Sequence, residues 1–554
     1  MADNTTLNRT VDGVSSRENV KVIAASALGT AFEWYDFFLY GSLASILGRH
    51  FFSGVNEATA FILALLTFAV GLIVRPFGAL LFGRLGDLRG RKNTFLIALC
   101  LMGGATFAAG LLPTYAQIGS LAPWLLVLLR MVQGLSVGGV YGGAVTYVAE
   151  HAPYGKRALY TSWIQSTGTL ALVLTLVVIF ATKEVVGDEA FSVWGWRIPF
   201  LFSGILLGIV VWIQMRLSES PIYLKMKSSG KSAANPWSES FGNVRNLKVV
   251  LTALFGAVVG QAVIWYTGQF YVLFFLERII KVDGTTTILL VGLALCIATP
   301  LYVMSGWISD KIGRKPIILA ACLLAAIGYF PLYNALTAAA NPDLSRAIEF
   351  APVTIVSDKQ QCSFQFDPIG GAEFNTSCDI VRSYLARTGV PYHSLYSPTT
   401  TVAQLRVGDQ SLLSFDGKNL HGTELSQRRA AWEQKATEMI RAGGYPASAD
   451  MDKMNIPLVM VLLVALAGLG AVIYGPMAAL LVELFPANIR YTSMSLPYHL
   501  GNGWFGGLLP TTAFAIVVAT GNIYSGLWYP FIFTCTTFVV AALFLPETKD
   551  RNVS

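Results

Sequence analysis

Gly83-Arg84-Leu85-Gly86-Asp87-Leu88-Arg89-Gly90-Arg91-Lys92 lies between two hydrophobic stretches, each long enough to cross a membrane. The pattern returns at Gly306, Asp310, Gly313, Arg314 and Lys315, every residue 223 positions further on. A constant offset over five residues points to a repeated half. A second set of marks, Glu150, Pro153 and Arg157, returns as Glu483, Pro486 and Arg490, now 333 positions on. The second half therefore carries some 110 extra residues between Lys315 and Glu483.

At 554 residues, 54% hydrophobic and 13% charged, with a mean hydropathy of +0.56, the chain is too apolar for a water-soluble globule. Crossing a bilayer takes roughly 20 apolar residues per helix, and twelve such stretches are present. They predict an all-α membrane protein of twelve transmembrane helices in two pseudo-symmetric halves, with an extracellular insertion between helices 9 and 10. The expected organisation is a tail at 1–20, a six-helix half at 21–217, a linker at 218–248, helices 7–9 at 249–337, the insertion at 338–455, helices 10–12 at 456–545 and a tail at 546–554. Residues 1–20 are polar and no small-residue cleavage site follows, so no cleavable signal peptide is expected.

Sixteen Arg and Lys fall in the short loops on the side of both glycine-rich clusters, against five on the other side. That asymmetry predicts cytoplasmic clusters and termini, in a multi-pass protein of a plasma membrane. The net charge of +7 follows from the same asymmetry. No basic helix or interleaving of basic with aromatic residues supports a nucleic-acid partner.

Several polar residues interrupt the apolar stretches. Glu33 and Asp36 stand three apart and share a helix face. A carboxylate inside a membrane costs several kcal/mol unless paired or protonated, so such residues mark ion and proton paths. Arg75-Pro76 places a cation near mid-span, suited either to neutralise one of these carboxylates or to grip a substrate anion. Arg130 needs a buried partner, and the two carboxylates are its candidates. Gly134, Gly138 and Gly142, with Gly139 and Gly143, form small-residue ladders that allow a close helix neighbour. Glu33, Asp36, Arg130 and His499 are the candidate proton-coupling residues. Arg75, Gln133, Tyr141, Gln165, Gln261, Tyr266, Gln269 and Asn502 are the candidate substrate contacts. Gly83, Asp87, Gly90, Arg91, Asp310, Gly313 and Arg314 are expected to latch the halves together on the cytoplasmic side, the aspartates accepting from helix N-termini.

The clusters at 83–92 and 306–315 resemble the signature of the major facilitator superfamily, between its second and third and its eighth and ninth helices. Arg130-x-x-Gln133-Gly134 and Glu150-His151-Ala152-Pro153 resemble its fourth-helix motif and the segment after it. Glu33-Trp34-Tyr35-Asp36-Phe37, Arg75-Pro76-Phe77-Gly78 and Trp194-Gly195-Trp196-Arg197-Ile198-Pro199-Phe200 are similar to the metabolite:proton symporter family, carriers of α-ketoglutarate, citrate, shikimate, or proline and betaine. The resemblance implies a proton-coupled symporter working by alternating access in a bacterial inner membrane, with a small-molecule substrate and protons as its partners, acting as a monomer. Many members of that family carry an acid where this chain has Val140. With two intramembrane arginines, its absence favours a small organic anion, a mono- or dicarboxylate, as substrate. The alternatives are a proton-driven exporter of organic compounds, a betaine- or proline-like zwitterion symporter, and a non-transporting sensor. No C-terminal coiled coil of the osmosensing type follows the last helix, so osmosensing of that kind is not expected. No enzyme activity, catalytic residue, metal or cofactor is expected.

The insertion holds Cys362 and Cys378, while Cys100, Cys296, Cys322 and Cys535 fall in apolar stretches. In an oxidising compartment that pair forms a disulfide, closing a loop of about 15 residues and contributing roughly 3 kcal/mol. Ser426 to Arg441 reads as an amphipathic helix with Trp432, Ala436, Met439 and Ile440 on one face and Gly443-Gly444 as its stop. The insertion is expected to cap the extracellular entrance.

Overall fold

The computed structural model describes residues 16–53, 57–216, 218–230, 233–363 and 374–551. Residues 1–15 of the expected N-terminal tail, Lys231 of the linker and 552–554 of the C-terminal tail lie outside these. Nine long helices precede the insertion: α1 (Ser16–Phe51), α2 (Glu57–Arg89), α3 (Arg91–Leu111), α4 (Leu121–His151), α5 (Arg157–Val186), α6 (Arg197–Met215), α7 (Val244–Ile279), α8 (Gly284–Ile312) and α9 (Arg314–Ala340). The insertion contributes α10 (Pro342–Phe350), α11 (Ser377–Thr388) and α12 (Gly422–Ala442). Then α13 (Ile456–Leu484), α14 (Arg490–Thr520) and α15 (Ser525–Phe544) complete the second half.

Among the described residues, eleven of these helices are long and apolar enough to cross a membrane. The twelfth long helix is α1, whose middle carries Glu33 and Asp36 amid aromatic residues. Gly90 and Gly313 turn the chain into α3 and α9 with φ of 113° and 110°, a region that favours glycine. A Cβ on either would also collide with a carboxylate, that of Glu219 at Gly90 and that of Glu547 at Gly313. The glycine ladder of α4 packs against α2: a Cβ at Gly134 would strike the Gly71 carbonyl, and one at Gly138 the backbone at Ala79. Without hydrophobic driving force in lipid, such close backbone approach supplies the packing energy.

Two helices depart from regular α geometry. Within α7, residues Leu254–Val258, Thr267–Tyr271 and Phe275–Ile279 widen into π turns, and within α14 Gly501–Gly506 does the same. Such turns are frequent at functional sites, and these two helices carry Gln261, Tyr266, Gln269 and Asn502.

An all-α description fits the membrane part only. The insertion holds a four-stranded sheet, β1 (Val353–Ser357), β2 (His393–Tyr396), β3 (Gln404–Val407) and β4 (Gln410–Leu413), ordered β2-β1-β3-β4. β1 runs parallel to β2 and antiparallel to β3, with Ile355 opposite both Ser394 and Leu405. The β1–α11–β2 crossover gives the parallel pair the connection it requires. Helix α12 buries Trp432, Ala436 and Ile440 and stops at Gly443. Cys362 and Cys378 are disulfide-bonded across 16 positions of sequence.

The insertion sits on the ends of α7 and α14 opposite the glycine-rich clusters. Tyr392 donates its backbone N–H to Gly521 O (2.9 Å) and its hydroxyl to Val518 O (3.1 Å). Ala449 donates to Lys281 O (2.9 Å), and Asn341 Nδ2 to Ile280 O (2.8 Å).

Candidate functional site

Two carboxylates of α1 meet different surroundings. Asp36 accepts three hydrogen bonds: from Arg130 Nη1 (3.1 Å), Gln133 Nε2 (2.8 Å) and Thr106 Oγ1 (2.8 Å). Gln133 also receives Arg130 Nη1 (2.7 Å) and donates to Thr106 (2.9 Å), while the guanidinium lies 3.7 Å above the Tyr40 ring. A buried charge pair persists only where further hydrogen bonds satisfy it, and Asp36 meets that condition. Gln133, expected among the substrate contacts, is thereby committed to bracing Asp36.

Glu33, one turn earlier, is 6% exposed, and its Oε2 has no hydrogen-bond partner. Arg75 lies close enough for the two charges to interact, yet forms no ion pair with Glu33 within 4 Å. The Arg75 guanidinium rests 5.5 Å from the Phe37 ring centroid, and its Nε lacks a partner. Tyr266 Oη and both ring nitrogens of His499 are likewise buried and unpartnered. The Phe270 ring centroid is 5.5 Å from that of Phe37 and 5.4 Å from that of Tyr266, and His499 stands edge-on to Tyr498 at 5.0 Å. Buried polar groups are nearly always satisfied, and each of these four side chains keeps at least one atom that is not.

The remaining amides and hydroxyls are mutually engaged. Gln261 and Asn502 exchange hydrogen bonds of 3.3 and 3.2 Å. Gln269 Nε2 (3.1 Å) and Trp265 Nε1 (2.8 Å) both donate to Tyr302 Oη, and Gln165 Nε2 donates to Tyr141 Oη (2.8 Å). Tyr141 stacks on Tyr498 at 3.4 Å, and the Tyr498 and Tyr474 hydroxyls are hydrogen-bonded. Aromatic rings from the two halves touch beside these residues: Trp34 meets Trp265 with centroids 5.1 Å apart, and Phe38 stacks on Phe270 at 6.1 Å. Thr106, Tyr302 and Tyr474 belong to this constellation although residue type alone does not flag them, because hydroxyls are ordinary in apolar helices.

The glycine-rich clusters close the opposite end with pseudo-symmetric contacts. Asp87 accepts from the Tyr491 and Thr492 N–H groups (3.2 and 2.9 Å) at the N-terminus of α14. Asp310 accepts from Ala158 and Leu159 (3.1 and 2.8 Å) at the N-terminus of α5. Each aspartate also pairs at 2.9 Å with the arginine four residues on, Arg91 or Arg314. Arg490 pairs with Glu150 (2.7 Å), and Arg157 and Arg314 pair with Glu483 (3.0 Å each). Arg91 Nη2 reaches Ala487 O in the other half (2.6 Å).

Two further residues, beside the clusters, escaped the sequence reading. Glu219 accepts the N–H groups of Arg91 and Lys92 (both 3.1 Å), and Glu547 those of Arg314 and Lys315 (2.9 and 3.1 Å). The next residue, Ser220 or Thr548, hydrogen-bonds Glu150 or Glu483 respectively. Burial opposes the charge on Glu547, yet backbone N–H groups of Arg314, Lys549, Thr548 and Lys315 hold its carboxyl below the usual range. The available signal was Glu-Ser after α6 and Glu-Thr after α15, a short repeat beside a long one.

Twelve long helices in two halves that interlock through repeated charged loops make up a major facilitator fold. Solved structures agree on the fold. The proton:xylose symporter XylE bound to 6-bromo-6-deoxy-D-glucose aligns with a TM-score of 0.59 and 16% identity over 98% of both chains. A double tryptophan mutant of XylE aligns at 0.60 and 16% over 97% of this chain and 98% of that one. The chain belongs to the sugar (and other) transporter family, whose model matches residues 21–351. This is a family of multi-pass membrane transporters and not of enzymes. The chain is similar to the proline/betaine transporter of Salmonella typhimurium, 35% identical over 328 residues, which are 57% of this chain and 65% of that protein. It is equally similar to the glycine betaine/proline/ectoine/pipecolic acid transporter OusA of Dickeya dadantii, 35% over 329 residues, 57% of this chain and 64% of OusA. The chain thus matches slightly under two thirds of the length of these relatives.

Proposed function

We propose that this protein is a proton-coupled symporter of a small zwitterion, working by alternating access in a bacterial inner membrane with both termini cytoplasmic. The observation that carries the reading is the relation of Glu33 and Arg75: opposite buried charges near each other, not joined by an ion pair, each with an unpartnered buried atom. A zwitterion offers one complementary group to each. An organic anion, the sequence-based expectation, would leave Glu33 facing like charge. The relatives named for proline and betaine support the same choice, and Arg130 pairs with Asp36, one of the two carboxylates expected for it, which leaves Arg75 as the arginine open to substrate.

The division of labour follows from the two carboxylates. Glu33 and Arg75 receive substrate, while Asp36 carries the proton. Protonating Asp36 removes its charge from Arg130 and loosens the brace of Gln133 and Thr106, so proton binding changes how α1 is held against α3 and α4. Competition between a proton and an arginine for one carboxylate is the physical basis of such coupling. The two halves then rock about this site, opening the charged latch at one end and parting the Trp34–Trp265 contact. The test is a proton-flux measurement: adding glycine betaine or proline to weakly buffered proteoliposomes should make the outer medium alkaline. Acidification on adding substrate would indicate exchange against protons and overturn the symport reading.

A further inference from the structure

We propose that the insertion carries a binding site for a small carboxylate, separate from the transport site and built from Arg382 of α11 with the hydroxyls of Ser394 and Tyr396 on β2. Among the described residues seven arginines are buried: Arg75, Arg91, Arg130, Arg157, Arg314, Arg382 and Arg490. Five of them pair with a carboxylate of the chain, leaving Arg75 and Arg382. Arg75 is the residue proposed to receive substrate. Arg382, only 7% exposed, has no ion-pair partner within 4 Å among the described residues. A cation held out of water without a counter-charge is costly, so Arg382 is suited to an anion that comes from outside the chain.

The surroundings of Arg382 are all donors. Strand β2 lies at an edge of the sheet, and its register sets Ser394 beside Ile355 and Tyr396 beside Ser357, both fully buried. Ser394 and Tyr396 therefore turn to the face that α11 covers. There Arg382 Nη2 donates to Ser394 Oγ (3.0 Å) and to Tyr396 Oη (2.9 Å). A hydroxyl that accepts keeps its own O–H to donate. Nε is enclosed without a partner, and Nη1 meets no acceptor among the described residues. The Nη1 N–H groups and two O–H groups thus lie together. Tyr396 is 49% exposed, so the hydroxyls form a rim open to solvent beside the guanidinium. A carboxylate answers this set with one charge and two acceptor oxygens, in the planar geometry that a guanidinium matches. Tyr392, two residues before Ser394, bonds Val518 O and Gly521 O and so fixes the site to the second half.

The experiment is hydrogen exchange on the purified full-length protein at neutral pH, comparing sodium acetate with sodium chloride and with inorganic phosphate at equal ionic strength. Acetate is expected to slow exchange saturably in α11 and β2. At ten times its dissociation constant, a ligand of the folded form slows exchange through opening about tenfold. Arg382→Met should abolish this protection while exchange in the membrane helices stays as in the wild type, which shows that the variant is folded. Tyr396→Phe keeps the cation and removes one donor, so half-protection should require about tenfold more acetate. No acetate effect in the wild-type protein, an equal effect in Arg382→Met, or protection by phosphate alone would overturn the proposal.

Discussion

Arg490, in the second half of the chain, donates to Glu150 in the first half at 2.7 Å, and both side chains are essentially fully buried. The repeat turns the same relationship around, with Arg157 of the first half reaching Glu483 of the second at 3.0 Å. These two crossings, with Asp87 and Asp310 on the facing helix N-termini, hold the cluster-bearing end shut. Because Arg490 and Arg157 find their carboxylate partners in the other half, separating the halves strands these two charges rather than merely exposing apolar surface.

Arg490→Ala should unlatch this end. Truncation leaves Glu150 only Ser220 and, at 3.8 Å, Arg91, and breaking a buried pair costs up to about 3–5 kcal/mol. We expect a cysteine placed at Ser495 to be alkylated faster from the cytoplasmic side in the variant, with gradient-driven accumulation reduced. Equal alkylation rates in both proteins would show that the pair does not hold the gate.

Asp36→Asn keeps the shape of the Thr106–Gln133 network but removes the charge that a proton would cancel. Uphill accumulation should be abolished, whereas substrate exchange between equal pools persists. Normal accumulation would take the proton role away from Asp36. Glu33→Gln is expected to behave differently, raising the substrate KM rather than uncoupling.

The Glu547 carboxyl is depressed by backbone N–H donors despite partial burial. A depressed folded-state pKa stabilises the contact above the ordinary carboxylate range, and the contribution is lost as pH falls through the folded value. The latch at the N-terminus of α9 should therefore be intact at neutral pH and weaken only under acid conditions below the normal Glu range. Glu547→Gln should mimic that weakening at neutral pH, read as faster hydrogen exchange at Arg314 and Lys315. Unchanged exchange would contradict the cap.

Much of this was legible in the chain. The 223-residue offset exposed the repeat, and Asp87 and Asp310 do accept helix N-terminal N–H groups. The difference between Glu33 and Asp36 was not legible, since spacing puts both on one face of α1 while their partners come from helices far away in sequence. Gln133 looked like a substrate ligand because an amide in an apolar helix is conspicuous, but its three contacts lie within the Asp36 network. The sheet of the insertion was missed because its strands are four or five residues long and two of them, β2 and β4, are mostly exposed, leaving little alternation to read.

Reducing the Cys362–Cys378 disulfide should loosen the insertion. Its closed loop is worth about 3 kcal/mol, and limited proteolysis ought to cut the insertion sooner in the Cys362→Ser, Cys378→Ser variant. The membrane helices are expected to keep their thermal midpoint, because Tyr392 and Ala449 reach only the ends of α7 and α14. Co-operative loss of the whole protein would mean that the insertion is part of the transmembrane fold.

The most direct test of the central claim is the accumulation of labelled glycine betaine and proline in proteoliposomes, with and without an inward proton gradient. Gradient-driven concentration of a zwitterion above its external level, abolished by a protonophore, is the predicted result. Accumulation of a mono- or dicarboxylate in its place, with no zwitterion uptake, would contradict the assignment of Glu33 and Arg75.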